Sequence, residues 1–152
     1  MRIYLDVCCL CRPFDDQSSH RIRMETEAVI AILKRCTEDW DLVESEVIDY
    51  EVAGISDDER RKHVGSLIRF AHEHIVLDKE LVDRARSFHA NGMESFDSLH
   101  LACAERAGAV FLTTDDTLIK HIKKQADKIS IETGNPVQWF MEVTIDGSEN
   151  AQ

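Results

Sequence analysis

Four acidic residues of this chain stand where the surrounding pattern calls for apolar ones. Asp6 closes the run Ile3-Tyr4-Leu5, and Asp115 follows Ala109-Val110-Phe111-Leu112. In a helical reading Glu51 shares a face with Val47, Ile48 and Ile55, and Asp97 shares one with Leu101 and Ala104. A carboxylate pressed against a core is costly unless it is paired with a cation or ligates a metal. No Lys or Arg on those two helical faces is placed to pair with Glu51 or Asp97. Carboxylates from four separated segments therefore describe a cage for a hard divalent cation, Mg²⁺ or Mn²⁺, which prefers oxygen ligands. One or two such ions can activate a water and clamp phosphate oxygens, which is what phosphodiester hydrolysis needs. Plainer readings stand beside this one. Asp115 could be a helix N-cap, Asp97 an acid complementing a helix dipole, and Asp6 a loop residue binding local amides. Glu51 has the weakest of them, because a mid-helix Glu among apolar neighbours has no local task.

The elements that must position these acids alternate between short apolar runs and helical periodicity. Residues 2–7 read as a buried parallel strand, followed by a turn around Arg12-Pro13 and a helix capped by Ser18 or Ser19. Residues 41–43 form a second strand, and Ser45 caps a helix ending near Gly54. Ser56-Asp57-Asp58-Glu59 opens a helix to about His74, and 75–77 is a short strand. Asp78 starts a helix that stops at Asn91-Gly92, and Ser95 caps the helix that carries Asp97 and ends at Gly108. A buried strand spans 109–113, Asp115-Asp116 opens a helix over 117–126, and a last strand lies at 129–131. Pro136 suits the first turn of a terminal helix, and the polar tail from Asp146 is expected to be disordered. This alternation predicts an α/β domain over 1–145, with a mostly parallel central sheet flanked by helices. Ligands of such sheets bind at the carboxyl ends of the strands, where Asp6 and Asp115 fall.

Length and charge narrow the function classes. The 152 residues suffice for one domain with one core. A formal net charge of −11 argues against broad neutralisation of duplex DNA, so attraction for a nucleic acid must come from metal ions or local basic clusters. Arg60-Arg61-Lys62 and the stretch with Lys120, Lys123 and Lys124 are the candidates, although solvated helix faces explain both. Three of the five cysteines, Cys8, Cys9 and Cys11, crowd one segment and read as small core residues rather than soft-metal ligands. With no secretory signal ahead of the first strand and no long apolar run, the expectation is a cytoplasmic, reduced protein without a membrane span. No P-loop, G-x-G-x-x-G or G-x-S-x-G is present.

Taken in order, Leu5-Asp6-Val7, the stretch Ser45 to Glu51, Asp97-Ser98-Leu99-His100-Leu101-Ala102 and Phe111-Leu112-Thr113-Thr114-Asp115 resemble the PIN-domain ribonucleases. The resemblance is strongest to the VapC-type toxins of bacterial toxin–antitoxin pairs, and it covers nearly the whole chain. It implies a three-layer α/β/α domain whose acidic pocket binds Mg²⁺ or Mn²⁺ and cuts single-stranded RNA. The family's acids fall on Asp6, Glu51, Asp97 and Asp115, Thr113 matches the hydroxyl beside the last acid, and Asp116 is a further candidate ligand. A homodimer and a small antitoxin partner are also implied. One departure is Cys8, where the family has Asn or Ser, and a thiol is a poorer hydrogen-bond donor.

Two other classes compete. A PIN-like module that binds RNA or protein with little cleavage is favoured by Cys8 and the acidic charge. A phosphatase with Asp6 as nucleophile is disfavoured, because the second Asp expected two residues on is again Cys8. Of the histidines, His72 and His74 read as solvent-exposed positions on a helix, whereas His100 either reaches the pocket or packs inside. Arg12 serves either an RNA phosphate or its own turn.

Overall fold

The computed structural model describes residues 1–150, with side chains as far as Asp146. Its centre is a five-stranded sheet in the order β3-β2-β1-β4-β5, with every pairing parallel. The strands are β1 (Arg2–Leu5), β2 (Asp41–Ser45), β3 (Glu73–Ile75), β4 (Val110–Leu112) and β5 (Thr133–Gly134). Ile3, Tyr4, Leu5, Phe111 and Leu112 have essentially no exposure, as strands covered on both faces require. The covering helices are α1 (Val7–Cys11), α2 (His20–Arg35), α3 (Glu46–Ala53), α4 (Asp58–Ile68), α5 (Lys79–Ala90), α6 (Ser95–Ala107), α7 (Asp116–Lys124) and α8 (Pro136–Asn150). α5 packs on α6, and α2 packs on α8, giving three layers. No described helix is long and apolar enough to cross a membrane.

Local chemistry explains the boundaries. Ser19, Ser45, Asp57, Asp78 and Asp115 each accept an amide of the first turn that follows, the arrangement of a side-chain N-cap. α6 differs from expectation: Ser95 is its first residue, and the cap position is Glu94, whose side chain makes no capping bond. Gly108 closes α6 in the left-handed region at φ 63°.

Several elements depart from the sequence reading. Val7 does not extend the first strand; it opens α1, because Asp6 turns the chain and accepts the Val7 amide. α4 stops at Ile68 rather than near His74, since the next residues join the sheet edge. There the amide of His72 donates to the Leu42 carbonyl at 2.8 Å, and the ring of His72 accepts the Leu42 amide at 3.1 Å. His74 is therefore a strand residue and not a helical one. The last strand lies at Thr133–Gly134, beyond 129–131, because the amides of Phe111 and Thr113 donate to the carbonyls of Glu132 and Gly134. α8 continues through the expected tail at 146 to Asn150, and only Ala151 and Gln152 of that tail lie outside the described residues.

Candidate metal centre

β1 and β4 are adjacent parallel strands, so the residues just past their ends meet at one rim. The Asp6 amide donates to the Leu112 carbonyl at 2.9 Å and locks the first acid there. Asp6 is 7% exposed and its carboxylate is held from two sides: Oδ1 accepts the Val7 amide at 2.8 Å and Oδ2 the Thr113 hydroxyl at 2.7 Å. Thr113 Oγ1 in turn accepts the Asp115 amide at 3.1 Å. One hydroxyl therefore fixes the spacing of two acids. Asp115 is indeed an N-cap, with Oδ1 accepting the amides of Thr117 and Leu118, yet its carboxylate also lines the cleft. The capping and metal readings are compatible, since a cap uses one of two oxygens.

Asp97 lies in the first turn of α6. Burial first, and then the negative charges of Asp6, Asp115 and Glu94, push its carboxyl up to about 7, with His100 opposing. Asp6, Asp97 and Asp115 all line one cleft. Glu51, on α3, is held differently: its Oε1 lies 2.6 Å from Nε2 of the fully buried His100. The other ring nitrogen of His100 is 2.7 Å from the Tyr4 hydroxyl, and that hydroxyl is 2.7 Å from Ser45 Oγ. Ser45 Oγ accepts the Ile48 amide at 3.2 Å. With Nε2 of His100 donating to the Glu51 carboxylate and Nδ1 accepting, one direction runs through these groups. Ser45 donates to Tyr4, Tyr4 to Nδ1 of His100, and Nε2–H to Glu51. A Tyr4 phenol raised far above its ordinary value, chiefly by burial, suits the donor role.

The four acids thus surround a cleft of about 400 Å³ whose walls include Cys8, Arg12, Asp15 and Arg60. Both arginines are engaged within that wall. Arg12 binds Asp15 at 2.7 Å and Glu25 at 2.9 Å, which supports its turn-stabilising reading, and Arg60 pairs with Asp15. Among the described residues no Lys or Arg forms an ion pair with Asp6, Glu51, Asp97 or Asp115. An all-oxygen, uncompensated donor set fits Mg²⁺ or Mn²⁺. Asp116 does not join it. Both its oxygens lie 2.8 Å from Arg21, an exposed pairing that holds its carboxyl below the usual range and turns it from the cleft.

Cys8 takes the place expected of the Asn or Ser: its thiol lies 3.3 Å from Asp6 Oδ2 and 3.4 Å from Thr113 Oγ1. The contact is retained with a longer and weaker donor. Cys8 and Cys11 are also spaced as a C-x-x-C pair and both line the cleft, a spacing that the core-residue reading passes over. Tyr4 and Ser45 were legible only as core and cap. Their signal was a tyrosine inside an all-apolar strand, whose hydroxyl must find a partner once buried.

The family model for the PIN domain matches residues 3–125, a span that holds all four cleft acids. The chain belongs to the PIN domain family. No curated relative matches it. Among solved structures, FitAcB from Neisseria gonorrhoeae is similar at 18% identity and TM-score 0.58, over 90% of this chain and 98% of that one. VapBC2 from Rickettsia felis, bound to a DNA fragment from its promoter, is similar at 13% identity and TM-score 0.61, over 89% and 98% of the two chains. VapBC-1 from nontypeable Haemophilus influenzae is similar at 13% identity and TM-score 0.58, over 90% and 98%. At these identities the likeness is one of fold. It places this PIN domain's parallel sheet in the same architecture.

Proposed function

We propose that this PIN domain is an endoribonuclease dependent on Mg²⁺ or Mn²⁺ that hydrolyses phosphodiester bonds of single-stranded RNA. The observation that carries the reading is the convergence of Asp6, Glu51, Asp97 and Asp115 in one cleft where, among the described residues, no Lys or Arg forms an ion pair with them, Arg12 and Arg60 of the wall being engaged by Asp15 and Glu25. A bound divalent ion would supply an activated water and neutralise charge on the phosphate. The chain's own residues do the positioning. Thr113 and the Val7 amide orient Asp6, the Thr113 hydroxyl spaces Asp115, and His100 holds Glu51 through its bond to Tyr4. Lys120 and Lys123 line a neighbouring hollow of about 550 Å³ in which Arg21 is paired with Asp116 and Glu25, and these two lysines are the basic contacts it offers an RNA strand.

The fold shared with FitAcB, VapBC2 and VapBC-1 supports a role as the toxin of a toxin–antitoxin pair in the cytoplasm, with a small antitoxin partner and a homodimeric assembly that sedimentation at micromolar concentration would read. The long thiol contact of Cys8 favours a second reading, a PIN-like binding module with weak cleavage. Cleavage of single-stranded RNA in Mn²⁺ or Mg²⁺ decides between them. Wild type should cut and stop on addition of a chelator, Asp6→Asn and Asp97→Asn should lose most activity while staying folded, and Asp116→Asn should lose little. Activity that survives the chelator contradicts the metal mechanism; a folded, metal-binding and inactive wild type supports the binding module.

A further inference from the structure

A second group of metal-ligating side chains lies outside the cleft, on the other side of α3. Asp49 and Glu51 are two residues apart, a spacing that points side chains to different faces of a helix. Glu51 reaches the cleft, and Asp49 turns to the β2–β3 edge of the sheet. There Glu44 on β2 is in register with His74 on β3. The Nε2 atom of His74 lies 2.9 Å from Asp49 Oδ2 and 3.1 Å from Glu44 Oε1. One ligand atom from each residue lies within 4.8 Å of the other two.

Ordinary ion pairing does not complete this group. Glu44 is only 9% exposed, and its Oε2 is buried without any hydrogen-bond partner. A buried acceptor left unmade is expensive, more so on a carboxylate. Among the described residues no Lys or Arg pairs with Glu44 or Asp49, so one imidazole faces two carboxylates. Glu46 adds negative charge nearby, but its Oε1 is occupied by the Leu77 amide.

We propose that Glu44, Asp49 and His74 form a second cation site for a divalent transition ion of the borderline class, Zn²⁺ first. One imidazole and two carboxylates make a nitrogen–oxygen set that suits Zn²⁺ and poorly suits Mg²⁺, which favours oxygen throughout. Three protein ligands at a partly exposed position leave coordination for water, and the ion would supply the positive charge that the buried Glu44 carboxylate lacks. The ion would clasp α3, the helix carrying Glu51, to the sheet edge. It therefore serves the position of the cleft without lying in it.

Zn²⁺ titration by calorimetry, paired with thermal melting, tests the site in an Asp6→Asn/Asp97→Asn background that disables the cleft. The double variant should bind one equivalent of Zn²⁺ and melt at a higher temperature with it, while Mg²⁺ gives neither effect. Adding His74→Ala, at an exposed position, should abolish both, and Glu44→Gln, which keeps the side chain's shape, should do the same. No Zn²⁺ bound by the double variant would overturn the proposal. Binding that persists through both substitutions would overturn it as well, and would assign the ion to Cys8 and Cys11.

Discussion

Thr113 shows how much one hydroxyl can organise, donating to Asp6 while accepting from the main chain of Asp115. On the opposite wall His100 does the equivalent for Glu51, and Tyr4 does it for His100. Tyr4→Phe removes the donor and leaves Nδ1 of His100 buried and unpaired. It should lower stability by about 1–3 kcal/mol, read from the denaturant midpoint. The titration of Asp97 gives a second prediction. Its carboxyl stands at about 7 in the folded chain, above the roughly 4 of an unfolded aspartate. Between those values the folded state holds a proton that the unfolded state has released. This contribution to stability is complete below about pH 4 and is lost as pH rises through 7. Without metal, the melting temperature of wild type should therefore fall relative to that of Asp97→Asn across this window. Parallel curves for the two proteins would contradict the burial of Asp97 and its repulsion by Asp6 and Asp115. The acids were legible in the sequence because each breaks a local apolar pattern. The Tyr4–His100 contact was not, since it joins residues 96 positions apart and leaves no local trace.

Element ends place the chemistry. Asp6 and Asp115 each follow a strand and cap the helix that comes next, so two acids reach one rim because β1 and β4 are neighbours. Asp97 reaches it from the first turn of α6, whose other end is set by Gly108. Gly108→Ala places a side chain in the left-handed region and should cost about 1–2 kcal/mol. Gly65, inside α4 with open space where a Cβ would stand, should behave oppositely. Gly65→Ala should raise stability by about 0.4–1 kcal/mol, since it removes backbone freedom from the unfolded chain. Equal effects of the two in chemical denaturation would contradict these local readings. Helices were legible wherever a side-chain cap announced them, as at Ser19, Ser45 and Asp78. Strand edges were less so: β3 and β5 are two or three residues long and owe their register to hydrogen bonds with β2 and β4 rather than to their own composition.

At the scale of the whole molecule, a chain with a net charge of −11 gathers four of its acids into one cleft, and among the described residues no Arg or Lys forms an ion pair with them. A divalent cation shared among them would relieve their mutual repulsion, and under the proposed function the same cation would reconcile an acidic protein with an anionic substrate. The order of the acidic motifs along the chain made the family and its α/β/α architecture legible. The Glu44–Asp49–His74 group was not, because strand register rather than sequence spacing assembles it. The central claim is that Asp6, Glu51, Asp97 and Asp115 bind a hard divalent ion in the folded state. Thermal melting with and without Mg²⁺ tests it most directly, and Mg²⁺ keeps the readout away from the imidazole of His74. At about a hundredfold excess over its dissociation constant, Mg²⁺ should stabilise wild type by about 2.7 kcal/mol. Asp97→Asn should lose most of that gain. An unchanged melting temperature in wild type, or an equal gain in Asp97→Asn, would contradict the account.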